Sequence, residues 1–171
     1  GTMVTVGGVV AVLDAWKVDE IGIDAIGLGA GVCDRLLELK RQGIIKAKVV
    51  GVIVSQRAPA QPVRGEPRGR LVRDYLWLEM ARWLREDEPI FAAEDRSACE
   101  DLAGELASVG YRLNSTGEIE VEDKDGMKKR LGQSPDLADG LGCTFAPEGR
   151  LPVGDFATGL GDLTRSSPWR V

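Results

Sequence analysis

The chain's 171 residues suffice for one domain with a substantial core, and its 43% hydrophobic and 29% charged shares are those of a soluble globular protein. It contains no histidine, which removes histidine triads and histidine metal sites at once and leaves carboxylates to carry any acid–base or metal chemistry. The net charge of −5 speaks against a nucleic-acid binder, but Arg57, Arg64, Arg68, Arg70 and Arg73 crowd one stretch and Lys124, Lys128, Lys129 and Arg130 another, and local patches matter more than the total for binding phosphates.

In chain order, residues 4–17 place Val9, Val10, Leu13 and Trp16 on one face of an amphipathic helix, weakened at its start by Gly7 and Gly8. Ile21–Leu28 is a short apolar run that reads as a buried strand with one acid, Asp24, inside it. Asp34–Lys40 begins a helix after a Gly29–Gly31 turn and ends near Gly43. Lys48–Val54 is β-branched and reads as a second buried strand. The strand–helix–strand order is the mark of an α/β sheet with a right-handed crossover.

Ser55–Gly69 holds three prolines, two glycines and three arginines without apolar periodicity, and reads as a mobile loop able to order on a partner. Residues 70–86 form a long helix, to which Trp77 and Trp83 add bulk on different faces; at least one is expected in the core rather than stacking on bases. Ile90–Phe91 reads as a small strand, and residues 95–107 as a helix capped by Asp95. Tyr111–Leu113 and Glu118–Val121 flank Asn114–Gly117 as a hairpin. A short helix covers Asp123–Arg130. Ser134 is placed as the cap, and Pro135 as the first residue, of a helix to about residue 146 with Leu137, Leu141 and Phe145 on its apolar face. Residues 147–171 form a tail rich in Gly, Pro and Ser, so the chain divides into a domain over 1–146 and that tail.

Three scattered cysteines without CxxC spacing argue for reduced thiols in a cytoplasmic setting and against a zinc site. No apolar run approaches the roughly 20 residues a membrane span needs, so no membrane is expected among the partners.

The candidate chemistry joins Asp24 to Asp136 and Asp139, two acids three apart and therefore side by side on a helix. A carboxylate in an apolar strand costs several kcal/mol unless something pairs with it, and a divalent cation is the strongest such partner. With oxygen ligands only, the ions are hard ones, magnesium, manganese or calcium. The plainer reading stands beside this: Asp24 caps a turn, Asp136 complements the helix dipole, and Asp139 is solvated. The lysine cluster and the loop arginines read equally as solvated charge, and the GLGAG run at Gly27–Gly31 lacks the full spacing of a phosphate-binding glycine loop.

Three blocks, IDAIGLGAGVCDRLLELK, RDYLWLEMARWLRED and DLAGELASVGYRLNSTGEIEVEDKDGMKKRLGQSPDLADGL, together resemble the C-terminal nuclease domain of phage terminase large subunits, the DNA-packaging motors of tailed phages. The resemblance spans about residues 5–146 and is most specific over KKRLGQSPDLADGL. It implies an α/β fold of RNase H-like (resolvase and integrase) type, a mixed sheet flanked by helices, and a nuclease using two Mg2+ or Mn2+ ions on concatemeric double-stranded DNA. Asp24 matches the family's second acid. The last acidic pair matches Asp136 and Asp139, with Asp136 favoured as ligand and Asp139 as support. Lys124, Lys128, Lys129 and Arg130, with Arg57, Arg64 and Arg68 of the loop, are then the expected DNA contacts. The implied partners are DNA, the terminase ATPase domain, the small terminase subunit and the portal, inside a bacterial host cell. The family's first acid lies on a strand ahead of the opening helix, and no matching strand precedes Val4. The resemblance therefore implies a truncated domain lacking its first strands, or a prophage relic that docks on DNA or the portal without cutting. Another RNase H-like nuclease, such as a junction resolvase, is the remaining alternative.

Overall fold

The computed structural model describes residues 1–91 and 96–146. Helix α1 (Thr2–Trp16) leads into strand β1 (Glu20–Asp24), helix α2 (Leu28–Arg41) and strand β2 (Lys48–Val52). The two strands pair in parallel, Glu20 opposite Lys48 through Asp24 opposite Val52, with α2 as the crossover. Strand–helix–strand order is thus observed as the sequence predicts. Helix α3 (Val72–Glu86) and helix α4 (Arg96–Ser108) follow, then an antiparallel hairpin of β3 (Tyr111–Leu113) and β4 (Ile119–Val121). Helix α5 (Lys124–Leu131), helix α6 (Asp136–Gly142) and a 3-10 turn at Cys143–Phe145 close the described part. Among the described residues, no helix is long and apolar enough to cross a membrane.

The main core lies where α1 and α2 cover the parallel pair. Val6 and Leu13 of α1 meet Val32, Leu36 and Leu39 of α2 over Val49, and Leu36 has no exposed surface. The apolar α2 stripe recurs at helical spacing, which explains why this segment folds as a helix against a sheet. A second cluster joins Val52 to Val72 and Leu76 of α3 and to Cys143 and Ala146, so the end of the chain's described part packs beside the end of β2.

Several local expectations are corrected. The Gly29–Gly31 run is not a turn: α2 starts at Leu28, and a Cβ on Gly29 would stand 1.8 Å from the Asp24 carbonyl oxygen. Gly29 serves the close approach of helix to strand. Trp16, placed on the buried face of α1, is 74% exposed. Ile90–Phe91 forms no strand; Phe91 instead sets its ring edge-on to Trp83, which also meets Phe145. The cap position of α6 falls on Pro135 rather than Ser134, without a side-chain hydrogen bond. Its buried face is Ala138 and Gly142, while Leu137 is exposed, because small residues let the helix lie close against Leu76. The 55–69 stretch has no helix, but it packs: Val63 is buried against Leu78 and Ile119, and Arg68 Nε and Nη2 donate to the Pro59 and Ala58 carbonyls at 3.2 Å. The Asp95 cap and the tail lie outside the described residues.

Leu36 tests this core. Replacement by Ala is expected to cost about 2–5 kcal/mol, because a cavity is left between helix and sheet. Urea titration reads it; a midpoint unchanged from the parent would place the core elsewhere.

Candidate metal centre

Asp24 is the last residue of β1, and the next amide, Ala25 N–H, donates to the Val52 carbonyl at 2.9 Å, which fixes where the strand ends. The chain then turns, and Ile26 N–H donates to Asp24 Oδ1 at 3.2 Å. The turn-capping role is therefore real, but it engages one oxygen of the carboxylate. Gly27, with φ of 61°, takes the backbone into α2 through a region that favours glycine.

Helix α6 brings the second pair of acids. It lacks a cap of its own, and Glu105 of α4 supplies one: Glu105 Oε2 accepts from Ala138 N–H at 2.8 Å, with both residues buried. A carboxylate at a helix N-terminus satisfies an orphan donor and opposes the dipole. Asp136 and Asp139 thus stand on a helix anchored from a different element. Asp136 is exposed and Asp139 half-buried.

Lys124 opens α5, which Asp123 caps by accepting from Gly126 N–H at 2.7 Å. Lys124 Nζ lies 2.8 Å from Asp139 Oδ2, an oxygen sealed from solvent. Burial opposes the lysine's charge, but contact with Asp139 and the field of Asp24 outweigh it, so its pKa rises despite the nearby Arg73. The Asp24 carboxyl is also raised, chiefly by burial and further by Asp139, against the opposing pull of the Ile26 amide and Lys124. Asp24, Lys124 and Asp139 therefore form one electrostatic unit. These three, with Asp136, Arg73 and Trp77, line a cavity of about 710 Å³ that runs along Ile21–Asp24 toward α1.

Of the expected DNA contacts, Lys124 belongs to this cavity, and Lys128 and Lys129 are exposed on α5. Arg130 turns away to Glu122 and the Ser108 carbonyl. Arg57 lies 3.5 Å and Arg68 3.9 Å from Glu118, and Arg64 is exposed on the loop. The acids and Lys124 are brought together; the loop arginines lie with the hairpin.

Two roles escaped sequence reading. Glu105 was readable only as one acid among several on an amphipathic helix. Arg73 reaches across from α3, its Nη1 donating to the Glu122 carbonyl at 2.6 Å, and so holds the approach to α5. Nothing local in the sequence signals either partner.

Donor chemistry fits a hard divalent ion: the converging groups are carboxylate oxygens, and a cation already stands against one of them. Among the described residues, no three acids lie close enough to hold an ion unaided.

Two substitutions probe the arrangement. Glu105→Ala is expected to cost about 1–2 kcal/mol by uncapping α6, read by thermal denaturation. For Asp24, whose folded pKa lies above its unfolded value, the ionised form opposes folding. Asp24→Asn is therefore expected to raise the melting temperature at neutral pH by roughly 1–3 °C, an advantage that vanishes below the carboxylate range. A lower melting point at neutral pH would contradict the raised pKa.

No protein-family model matches this sequence, and no curated protein matches it. Solved structures do. The nuclease domain of the large terminase subunit gp2 of bacterial virus Sf6, as a lysine-to-alanine variant with manganese and beta-thujaplicinol, is 20% identical, with a TM-score of 0.59, over 81% of this chain and 70% of that one. The same variant with calcium is 21% identical at a TM-score of 0.55, and the unsubstituted domain 22% identical at 0.54, with the same coverage. The chain thus shares the α/β fold of the Sf6 large-terminase nuclease domain.

Proposed function

We propose that this chain is the nuclease part of a phage DNA-packaging terminase, a divalent-metal-dependent endonuclease that cuts concatemeric double-stranded DNA. The observation that carries this is the convergence of Asp24 with Asp139 and Asp136, beside Lys124, in one cavity of a fold shared with terminase nucleases. The manganese and calcium carried by Sf6 nuclease structures support the same chemistry. Asp24 and Asp139, with Asp136 at the mouth, would hold Mg2+ or Mn2+. Bound in a pair, such ions activate a water and stabilise the leaving oxygen of a phosphodiester. The side chains prepare that site. Burial makes the ionised form of Asp24 costly, so a cation that stabilises that carboxylate gains there, and Lys124 holds the Asp139 carboxylate until one arrives. Lys128 and Lys129 would contact phosphates, as would Arg57, Arg64, Arg68 and Arg130 once free of their present contacts. The ATPase domain, the small terminase subunit and the portal are the proposed partners, in the cytoplasm of a bacterial host.

A second reading, a docking module that binds DNA or the portal without cutting, is favoured by one observation: among the described residues, no three acids form a ready cage. Magnesium-type sites often use one or two carboxylates plus water and substrate phosphates, so the first reading stands.

The full-length protein is expected to nick supercoiled plasmid with manganese, and Asp24→Ala to lower the rate by about 100-fold or more. Undiminished cutting by that variant would remove Asp24 from the mechanism. Calorimetry that shows no heat with millimolar manganese, in a folded sample that does not cut, would favour the docking module.

A further inference from the structure

Strand β4 and its flanks put acids on every second residue. Ile119 is buried and Val121 packs on the same apolar cluster, so Glu118, Glu120 and Glu122 share the opposite face, roughly 6.6 Å apart along the chain. Each meets arginine. Glu118 faces Arg57 and Arg68 of the loop. Glu120 is gripped from both sides, by Arg70 Nε at 2.8 Å and by Arg112 Nη2 of β3 at 2.8 Å. Glu122 pairs with Arg130 of α5. Arginine contact lowers the pKa of all three acids, after Asn114 in the case of Glu118, so the row stays ionised.

These pairs are not needed to hold the loop in place. Backbone bonds do that: Arg70 N–H donates to the Ile119 carbonyl at 3.0 Å, Ile119 N–H to the Arg68 carbonyl at 2.8 Å, and Val63 is buried beneath. The guanidinium groups remain partly solvated, with side-chain exposure from 39% for Arg68 to 80% for Arg112. The glutamate side chains keep 16–24% of their surface exposed, but with their arginine partners solvated such pairs add little to stability, so another anion can displace the glutamates from the arginines. A regularly spaced row of negative charge, held by arginines from three separate segments, has the chemistry of a nucleic-acid strand on a basic groove.

We infer that the Glu118–Glu120–Glu122 row is an internal stand-in for a phosphodiester backbone. It occupies Arg57, Arg70, Arg112 and Arg130, and duplex DNA binds this face by exchanging phosphate for carboxylate. The row sets the protein's DNA affinity low until a strand is presented at high local concentration. This rests on the proposed DNA substrate and goes beyond it by assigning a regulatory surface away from the carboxylate cavity.

The test is fluorescence-anisotropy binding of a short duplex to the full chain in EDTA, where no cutting occurs. Glu118→Gln with Glu120→Gln is expected to tighten binding about five- to tenfold and to steepen the dependence of log affinity on log salt by about one to two. A control with the same charge change, Glu38→Gln with Glu86→Gln, should move affinity by less than about twofold. Adding Arg57→Gln and Arg112→Gln to the first pair should return affinity and slope to the parent's. Equal tightening by the control, or an unchanged slope, would overturn the inference. So would a melting temperature lower by more than about 4 °C in the glutamine pair, which would make the pairs structural. If no variant binds duplex yet manganese-dependent nicking persists, the stand-in fails and the nuclease reading survives; loss of both defeats both.

Discussion

The ammonium of Lys124 is what allows two acids to share one cavity. Ionisation of Asp24 is opposed chiefly by its burial at the end of an apolar strand and further by the nearby Asp139 carboxylate. Neither carboxylate has a local remedy: the Ile26 amide serves only one Asp24 oxygen, and Asp139 Oδ2 is sealed from water. A single cation, 2.8 Å from Asp139 and within the field of Asp24, pairs with the first and relieves the second in part. The arrangement is conditional by nature. A divalent ion, as proposed for this site, would answer the same need more strongly than an ammonium.

That cation must be delivered from α5, and most of the surrounding polar structure serves to aim it. Asp123 starts the helix, and Arg73 grips the carbonyl just ahead of it. Asp74, buried at 3% exposure, accepts from Leu71 N–H at the start of α3 and from Val121 N–H in the hairpin, so one carboxylate fixes both an end of a helix and the strand that leads to α5. Glu105 does the equivalent for α6. Two of these helix starts are capped locally, by Asp123 and Asp74, but Asp74 also ties in the distant hairpin, and α6 is capped wholly from α4. Buried polar groups of this kind are costly unless fully paired, and where paired they specify one arrangement over its neighbours.

This explains which parts were legible in the sequence. Apolar periodicity revealed the strand–helix–strand core because burying those stripes requires only local spacing and a partner sheet. Asp24 stood out because an acid inside an apolar run conflicts with its surroundings. The α6 acids were visible as a pair, yet the helix's cap and buried face were misjudged: Ser134 satisfies local rules, whereas the actual cap is Glu105, 33 residues away in sequence. Leu137 looked like part of the apolar face but is exposed, while Leu141 is half-buried and the fully buried positions are the small Ala138 and Gly142. Gly29 read as a turn for a related reason. A glycine required by another segment's carbonyl looks the same, in sequence, as one required by a turn.

Charge shows the same limit from the opposite side. A net charge of −5 and an arginine-rich loop look contradictory until the hairpin is in place. The fold then sets Glu118 and Glu120 against Arg57, Arg68 and Arg70, and Glu122 against Arg130 of α5, so acids and bases neutralise each other on one face. Lys128 and Lys129, by contrast, stay exposed on α5 near the carboxylate cavity. Both basic clusters are thus partly compensated: Arg57, Arg68 and Arg70 by Glu118 and Glu120, and Lys124 and Arg130 by Asp139 and Glu122, which leaves Lys128 and Lys129 as the exposed part of the second. Strand alternation supplies the glutamates: with Ile119 and Val121 packed on the core cluster, their neighbours lie on the opposite face, against the arginines.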